Sequence, residues 1–345
     1  MSVADAAPEK RRLPLPFGIA STIGSLPHAT HEEAVAFVLE HTPLLPAAPT
    51  LPIGFPREGM LAQAAAGVAG IEVLDDGTLS ITPDLLDPDA PLSGGGFAAD
   101  PAFAGDRALV AALAGSSGFA KFQLTGPVTF AVALHALGVD PDRSVAVAGS
   151  AVRARADALL DWLDVAAPSL QPVVFVDEPA MVGLLQPGFP CDAETALDLC
   201  SSVLATLEGR AITGIHCCGE ADWRLLLQAG PQILSLPLGA DVERAAGTLS
   251  GYLERGGWLA WGAVPTDGPL GTTVERQWRK LSATWCNLVQ EGCDPVRLRT
   301  QAMITPVCGM ATHGTSQAEH VVEFAAELAQ RLHDQAIGVR LTVGA

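Results

Sequence analysis

Gly214-Ile215-His216-Cys217-Cys218-Gly219 closes an apolar run that begins at Ala211, and the reading of the fold turns on it. In an extended chain alternate side chains share a face, so His216 and Cys218 point one way and Cys217 the other. A cysteine in a similar setting, Cys308 of Pro306-Val307-Cys308-Gly309, ends the run Gln301–Val307 much later in the chain. Cys308 returns beside the earlier strand end only in a closed or strongly curved sheet, whose C-terminal strand ends gather on one rim.

Outward from these two stretches, the apolar runs are short, β-branched and separated by segments of helical length. They are Phe17–Gly24, Leu44–Leu51, Phe119–Leu124, Val173–Val176, Ala211–His216, Gln232–Leu236, Gly257–Gly262 and Gln301–Val307. Between most of them lie amphipathic stretches with apolar residues at three- and four-residue spacing: His31–Leu39, Arg143–Leu163, Ala193–Leu207, Thr273–Gln290 and Gln317–Leu332. Strand and helix alternation of this kind predicts an α/β fold, a (β/α)8 TIM barrel over residues 1–345 as a single domain. An insertion after the second strand, about residues 60–104, breaks the rhythm. There Ile71–Val73 and Leu79–Ile81 flank Asp75-Asp76-Gly77, a hairpin signal. Pro83–Ala104 reads as an irregular excursion over one barrel face, placed to act as a lid.

Composition narrows the function. Hydrophobic residues make up 49% and charged residues 17%, which supports a continuous core. A formal charge of −18, with Lys10, Lys121 and Lys280 the only lysines, disfavours nucleic acid and anionic membrane surfaces as partners. The longest apolar stretch, Val128–Val139, is interrupted by His135 and too short for a membrane span, and the segment after Arg12 lacks the apolar core of a signal peptide. A cytoplasmic protein is expected. Seven cysteines, an odd number, then read as thiols or metal ligands rather than a disulfide framework.

His216, Cys218 and Cys308 together offer an imidazole and two thiolates, a donor set that suits Zn2+ with one position left open for catalysis. On spacing alone the pattern is weak, and buried cysteines also serve as inert apolar fillers; both readings stand. Cys191, Cys200, Cys286 and Cys293 fall in helical segments and read as fillers. Val173-Val174-Phe175-Val176 delivers Asp177 and Glu178 straight after a buried run. Asp177 is suited to accept hydrogen bonds from a substrate ammonium and Glu178 to orient a neighbour, while loop capping is the plain alternative for both.

Taken in order, these segments resemble the cobalamin-independent methionine synthase family, in its catalytic C-terminal barrel, within the wider uroporphyrinogen decarboxylase-like superfamily. Ser21–Thr30 is similar to the family's Thr-Thr-Ile-Gly-Ser-Phe-Pro opening, Leu124–Thr129 to its Leu-Thr-Gly-Pro-Val-Thr, and Asp177–Ala180 to its Asp-Glu-Pro-Ala. His216-Cys217-Cys218 is similar to its His-x-Cys and Cys308-Gly309 to its closing Cys-Gly. The resemblance implies a zinc-dependent methyltransferase acting on a thiol, with homocysteine giving methionine. It makes His216, Cys218 and Cys308 the zinc ligands and gives Ile23, Ser25 and Asp177, with Glu178 beside it, to the amino-acid portion of the acceptor. Leu124, Thr125 and Gly126 are expected on the same rim.

Three departures bear on the methyl donor. Leu234-Ser235-Leu236-Pro237-Leu238 holds no acid where the longer synthase supplies a glutamate ligand. Trp261–Thr266 holds no histidine where it supplies a catalytic acid, and no counterpart of its preceding folate-binding barrel is expected, since the sequence enters the catalytic barrel almost directly. A corrinoid protein or methylfolate therefore remains as donor, with Trp223, Trp258 and Trp261 as stacking surfaces for a folate. Two other readings are a non-catalytic zinc- or thiol-binding barrel and a decarboxylase like the superfamily's namesake. The second needs cations at the strand ends, which here carry acids and cysteines.

Overall fold

In a computed structural model that describes residues 15–343 apart from Pro269, nine strands alternate with helices. The strands are β1 (Ile19–Ala20), β2 (Ile71–Val73), β3 (Leu79–Ile81), β4 (Gly118–Thr125), β5 (Leu170–Asp177), β6 (Ile212–His216), β7 (Ile233–Pro237), β8 (Trp258–Val264) and β9 (Ala302–Pro306). Seven of them form one parallel sheet in the order β1-β9-β8-β7-β6-β5-β4, each pair of sequential neighbours joined by a helical crossover. The segment before Leu15, on which the targeting expectation rests, lies outside the described residues. No helix among those described is long and apolar enough to cross a membrane.

The sheet is curled. Side chains of alternate parity separate into two apolar sets: Val173, Phe175, Ile233, Ala260 and Met303 on one face, and Val174, Val176, Ile215, Leu234 and Ile304 on the other. Ile19 of β1 joins the first set together with Val173 and Phe175 of β5. In a flat sheet the end strands β1 and β4 would stand six spacings of about 4.8 Å apart, roughly 29 Å, yet Lys121 of β4 donates to Ile23 O just beyond β1 at 2.7 Å, so the sheet wraps around this set. The second set packs under the helices, the two-faced burial expected of parallel strands.

The second apolar run, expected as a strand over Leu44–Leu51, makes no regular ladder. Pro46 and Pro49 remove N–H donors in turn, and isolated bridges remain, Ala47 with Lys121 and Ser25 with Thr50. Those bridges still tie this segment to both edges of the sheet. Ala48 N donates to Lys121 O at 2.8 Å and Lys121 N to Pro46 O at 2.8 Å, while Leu26 N donates to Thr50 O at 2.9 Å. The arrangement is compatible with a TIM-like barrel.

Caps set the helix starts. Thr30, Asp140, Asp192 and Thr273 each accept a backbone N–H of the first turn, beginning the helices His31–His41, Pro141–Ala166, Ala193–Leu207 and Val274–Gln290. A separate antiparallel pair, β2 with β3, places Ile71 opposite Ile81, and Gly77 in the turn takes φ 80°. The stretch 83–104 folds into short helical turns, with Phe97 stacked on Trp162 of the helix Pro141–Ala166 at 5.7 Å.

Candidate active site

Register brings the site together. Thr125 pairs with Asp177, Asp177 with His216 and His216 with Ser235, so four polar side chains stand at one level on β4 to β7. Above them lies a cavity of about 300 Å³ at the C-terminal strand ends, lined by Ile23, Ser25, Asp177, His216, Cys218 and Cys308 among others. Six of the seven residues expected at the site thus share one chamber. Cys217 is buried in the outer apolar cluster, as strand alternation predicts.

Glu178 is the exception and is corrected here. Its side chain is fully buried behind the wall, where it accepts Val128 N at 2.9 Å, Thr129 N at 2.7 Å and Thr129 Oγ1 at 2.6 Å. Those N–H groups are unsatisfied donors in the first turn of the helix Pro127–Ala136, so Glu178 acts as a cap delivered from another strand. Burial pushes its carboxyl up to about 7, against the pull of those hydrogen bonds. Of the rim residues expected nearby, Thr125 lines the cavity while Leu124 belongs to the outer core.

His216 is held by Ser235, with Nδ1 and the hydroxyl 2.9 Å apart. Burial, then the charge of Lys121, lowers the imidazole to about 3, so the ring is neutral, the form in which histidine binds a metal. The nearness of the Cys218 and Cys308 thiols holds Cys308 below the usual thiol range and Cys218 above it. The donors suit zinc in kind. Among the described residues, however, no group of three or more His, Cys, Asp or Glu stands close enough together to hold a metal ion.

Asp177 Oδ1 is shielded from solvent and has no hydrogen-bond partner among the described residues. Burial raises this carboxyl and the nearby Lys121 ammonium opposes the rise. Asp177 as a whole is only half-buried and lines the chamber, so its carboxyl is available there as an acceptor. At the opposite seam, Gly309 lies so close to the first strand end that an added Cβ would stand 1.9 Å from Ser25 Oγ, and Met310 N donates to Ser25 O at 2.8 Å. The close contact fixes Cys308 relative to Ser25.

Sequence reasoning missed Glu58, Lys121 and Gln123. Glu58, in the turn Pro56–Glu58, lines the cavity, accepts Leu51 N at 2.6 Å and lies 2.5 Å from His31 Nε2. Its only signal was an acid set within a proline-rich apolar loop. Of the other expectations, Trp223, Trp258 and Trp261 are all buried and offer no stacking surface. Cys200 and Cys293 are buried as fillers, whereas Cys286 is exposed and Cys191 precedes its helix.

No protein-family profile matches the chain, and no curated protein does. Solved structures do. A B12-independent methionine synthase from Shewanella sp. W3-18-1, in complex with selenomethionine, superposes with a TM-score of 0.59 at 14% identity, over 93% of this chain and 99% of that one. A Listeria monocytogenes protein provisionally named a vitamin-B12 independent methionine synthase gives a TM-score of 0.56 at 16% identity, over 88% and 86%. The chain therefore shares its fold with B12-independent methionine synthase structures along nearly its whole length.

Proposed function

We propose that residues 1–345 form a single (β/α)8 barrel and that the protein is a cytoplasmic, zinc-dependent methyltransferase whose acceptor is an amino-acid thiol, homocysteine, giving methionine. The observation that carries this reading is the meeting of His216, Cys218, Cys308 and Asp177 in one chamber at the strand ends. The shared fold with methionine synthase structures supports it. Porphyrin decarboxylation fits poorly, since the chamber presents Asp177 and Glu58 rather than arginines to a polyacid.

His216, Cys218 and Cys308 would hold the zinc, which when bound favours the thiolate form of an acceptor thiol near neutral pH. The chain's own groups do the positioning. Ser235 sets the His216 ring, so that with Nδ1 donating to its hydroxyl, Nε2 keeps a lone pair for the metal. Asp177 takes the substrate ammonium, and Ser25 faces the carboxylate. Pro52, Met60 and Pro179 give the chamber apolar walls that exclude water from the sulfur.

The test is methionine formation by purified protein supplied with zinc, homocysteine and a methyl donor. Cys218→Ser and Cys308→Ser should each abolish it and lower zinc well below about one per chain, while Cys217→Ser leaves both nearly intact. Equal zinc and equal turnover in all three variants would sink the reading.

A further inference from the structure

Lys121 is a cation inside the curled sheet, 1% exposed, on the face that otherwise carries Val173, Phe175 and Met303. Burying an ammonium there is costly unless its donors are used. Nζ donates to Ile23 O at 2.7 Å and to Gln123 Oε1 at 3.4 Å, and stands 5.0 Å over the Phe175 ring. Gln123 in turn donates from Nε2 to Ala48 O at 2.7 Å. These two side chains bind the first strand end and the proline-rich second segment to β4, at the seam where backbone pairing is reduced to isolated bridges.

The bond to Ile23 O has a geometric consequence. In a trans peptide the C=O and the following N–H point in opposite directions, so a carbonyl drawn to Lys121 leaves the Gly24 N–H pointing away from that side chain. Gly24 lines the chamber. Its φ of 147° suits glycine, and the Gln123 amide lies 2.8 Å from where a Cβ would stand, so the peptide is held from both sides. Resting on the amino-acid thiol reading above, we propose that Lys121 is a positioning residue for the acceptor: its buried ammonium holds the Ile23–Gly24 peptide with the N–H presented to the substrate carboxylate. Asp177, on the neighbouring strand β5, then receives the ammonium of the same substrate.

L-Methionine and L-methioninamide separate this role from a structural one, since they differ only in the carboxylate. Calorimetric titration of the wild type should show a clear preference for L-methionine. In Lys121→Met the affinity for L-methionine should fall about tenfold and that for the amide by less than roughly twofold, collapsing the preference. Lys121→Gln, which keeps a neutral donor, should fall between. An unchanged ratio in a folded variant, or a wild type that does not distinguish the two ligands, overturns the assignment. A wild type that binds neither overturns the acceptor reading with it. Where neither variant folds, wild-type protein carrying isotope-labelled glycine decides: the Gly24 amide resonance must shift with L-methionine and not with the amide.

Discussion

Ser235 Oγ stands 2.9 Å from His216 Nδ1, across the β6–β7 pair in which the two residues are register partners. A serine thus occupies the inner position nearest the imidazole on the strand whose end carries no acid, and it orients the ring instead of contributing a ligand. Such outer hydrogen bonds commonly contribute about 10- to 100-fold in metal affinity. Ser235→Ala should weaken zinc binding by that order, measured by competition with a chromogenic chelator, with only a small loss of thermal stability. Unchanged zinc affinity would show that the ring is held by packing alone.

Asp177 and Glu178 are adjacent in sequence and opposite in role. Asp177→Asn should weaken homocysteine far more than a simple alkyl thiol, because only the first carries an ammonium for the carboxyl that lines the chamber. Glu178→Gln should instead cost about 1–3 kcal/mol of folding stability through the cap on Val128 and Thr129. Its ratio of homocysteine to alkyl thiol affinity should match the wild type. Calorimetry with the two thiols, beside chemical denaturation, checks both; a shared phenotype would erase the distinction.

Asp106 supplies a pH dependence remote from the proposed zinc ligands. It is buried, and burial first, then the charge of Glu58, pushes its carboxyl up to about 7 from 3.8. A carboxyl whose folded value lies above its unfolded one binds more protons when folded, so the contribution of Asp106 to stability is greatest below about pH 4 and is lost as pH rises towards 7. Asp106→Asn removes the group that must ionise. Urea denaturation at pH 5 and pH 8 should show the variant losing less stability than the wild type across that interval. Parallel losses would place the pH dependence elsewhere.

The strands most legible in the sequence were those whose apolar runs are unbroken: Val173–Val176 extends to Leu170–Asp177, and Ala211–His216 becomes Ile212–His216. Leu44–Leu51 misled because hydrophobicity does not register that prolines 46 and 49 lack donors. At the site, strand alternation placed His216 and Cys218 correctly and sent Cys217 outward. Carried one residue past Asp177, the same alternation sends Glu178 outward, as it sent Cys217; reading the two adjacent carboxylates together as rim residues overlooked this, and nothing local marks the helix start fifty residues earlier that Glu178 caps. Lys121 was invisible for a related reason. A lone lysine in Phe119–Leu124 reads as a strand's solvent side, and only closure of the sheet makes that side an interior.

The methyl donor can be argued from what faces the chamber. Transfer from a folate nitrogen needs protonation of a poor leaving group, so an enzyme using it keeps a positioned acid. Asp267, in the loop after β8, does not line the chamber, and Glu178 is committed to its cap. With Asp177 given to the substrate ammonium, Glu58 is the remaining candidate: burial raises its carboxyl, but hydrogen bonds from Leu51 and His31 oppose the rise and occupy both oxygens. A methyl-corrinoid needs no such acid, because its leaving group is a reduced cobalt centre. Methionine should therefore form faster from methylcobalamin, free or protein-bound, than from monoglutamyl or polyglutamyl methylfolate at equal concentration. Glu58→Gln should leave the corrinoid reaction within roughly threefold, since no proton donor is then required. Faster zinc-dependent turnover with methylfolate, abolished by Glu58→Gln, would reverse the assignment and make Glu58 the acid.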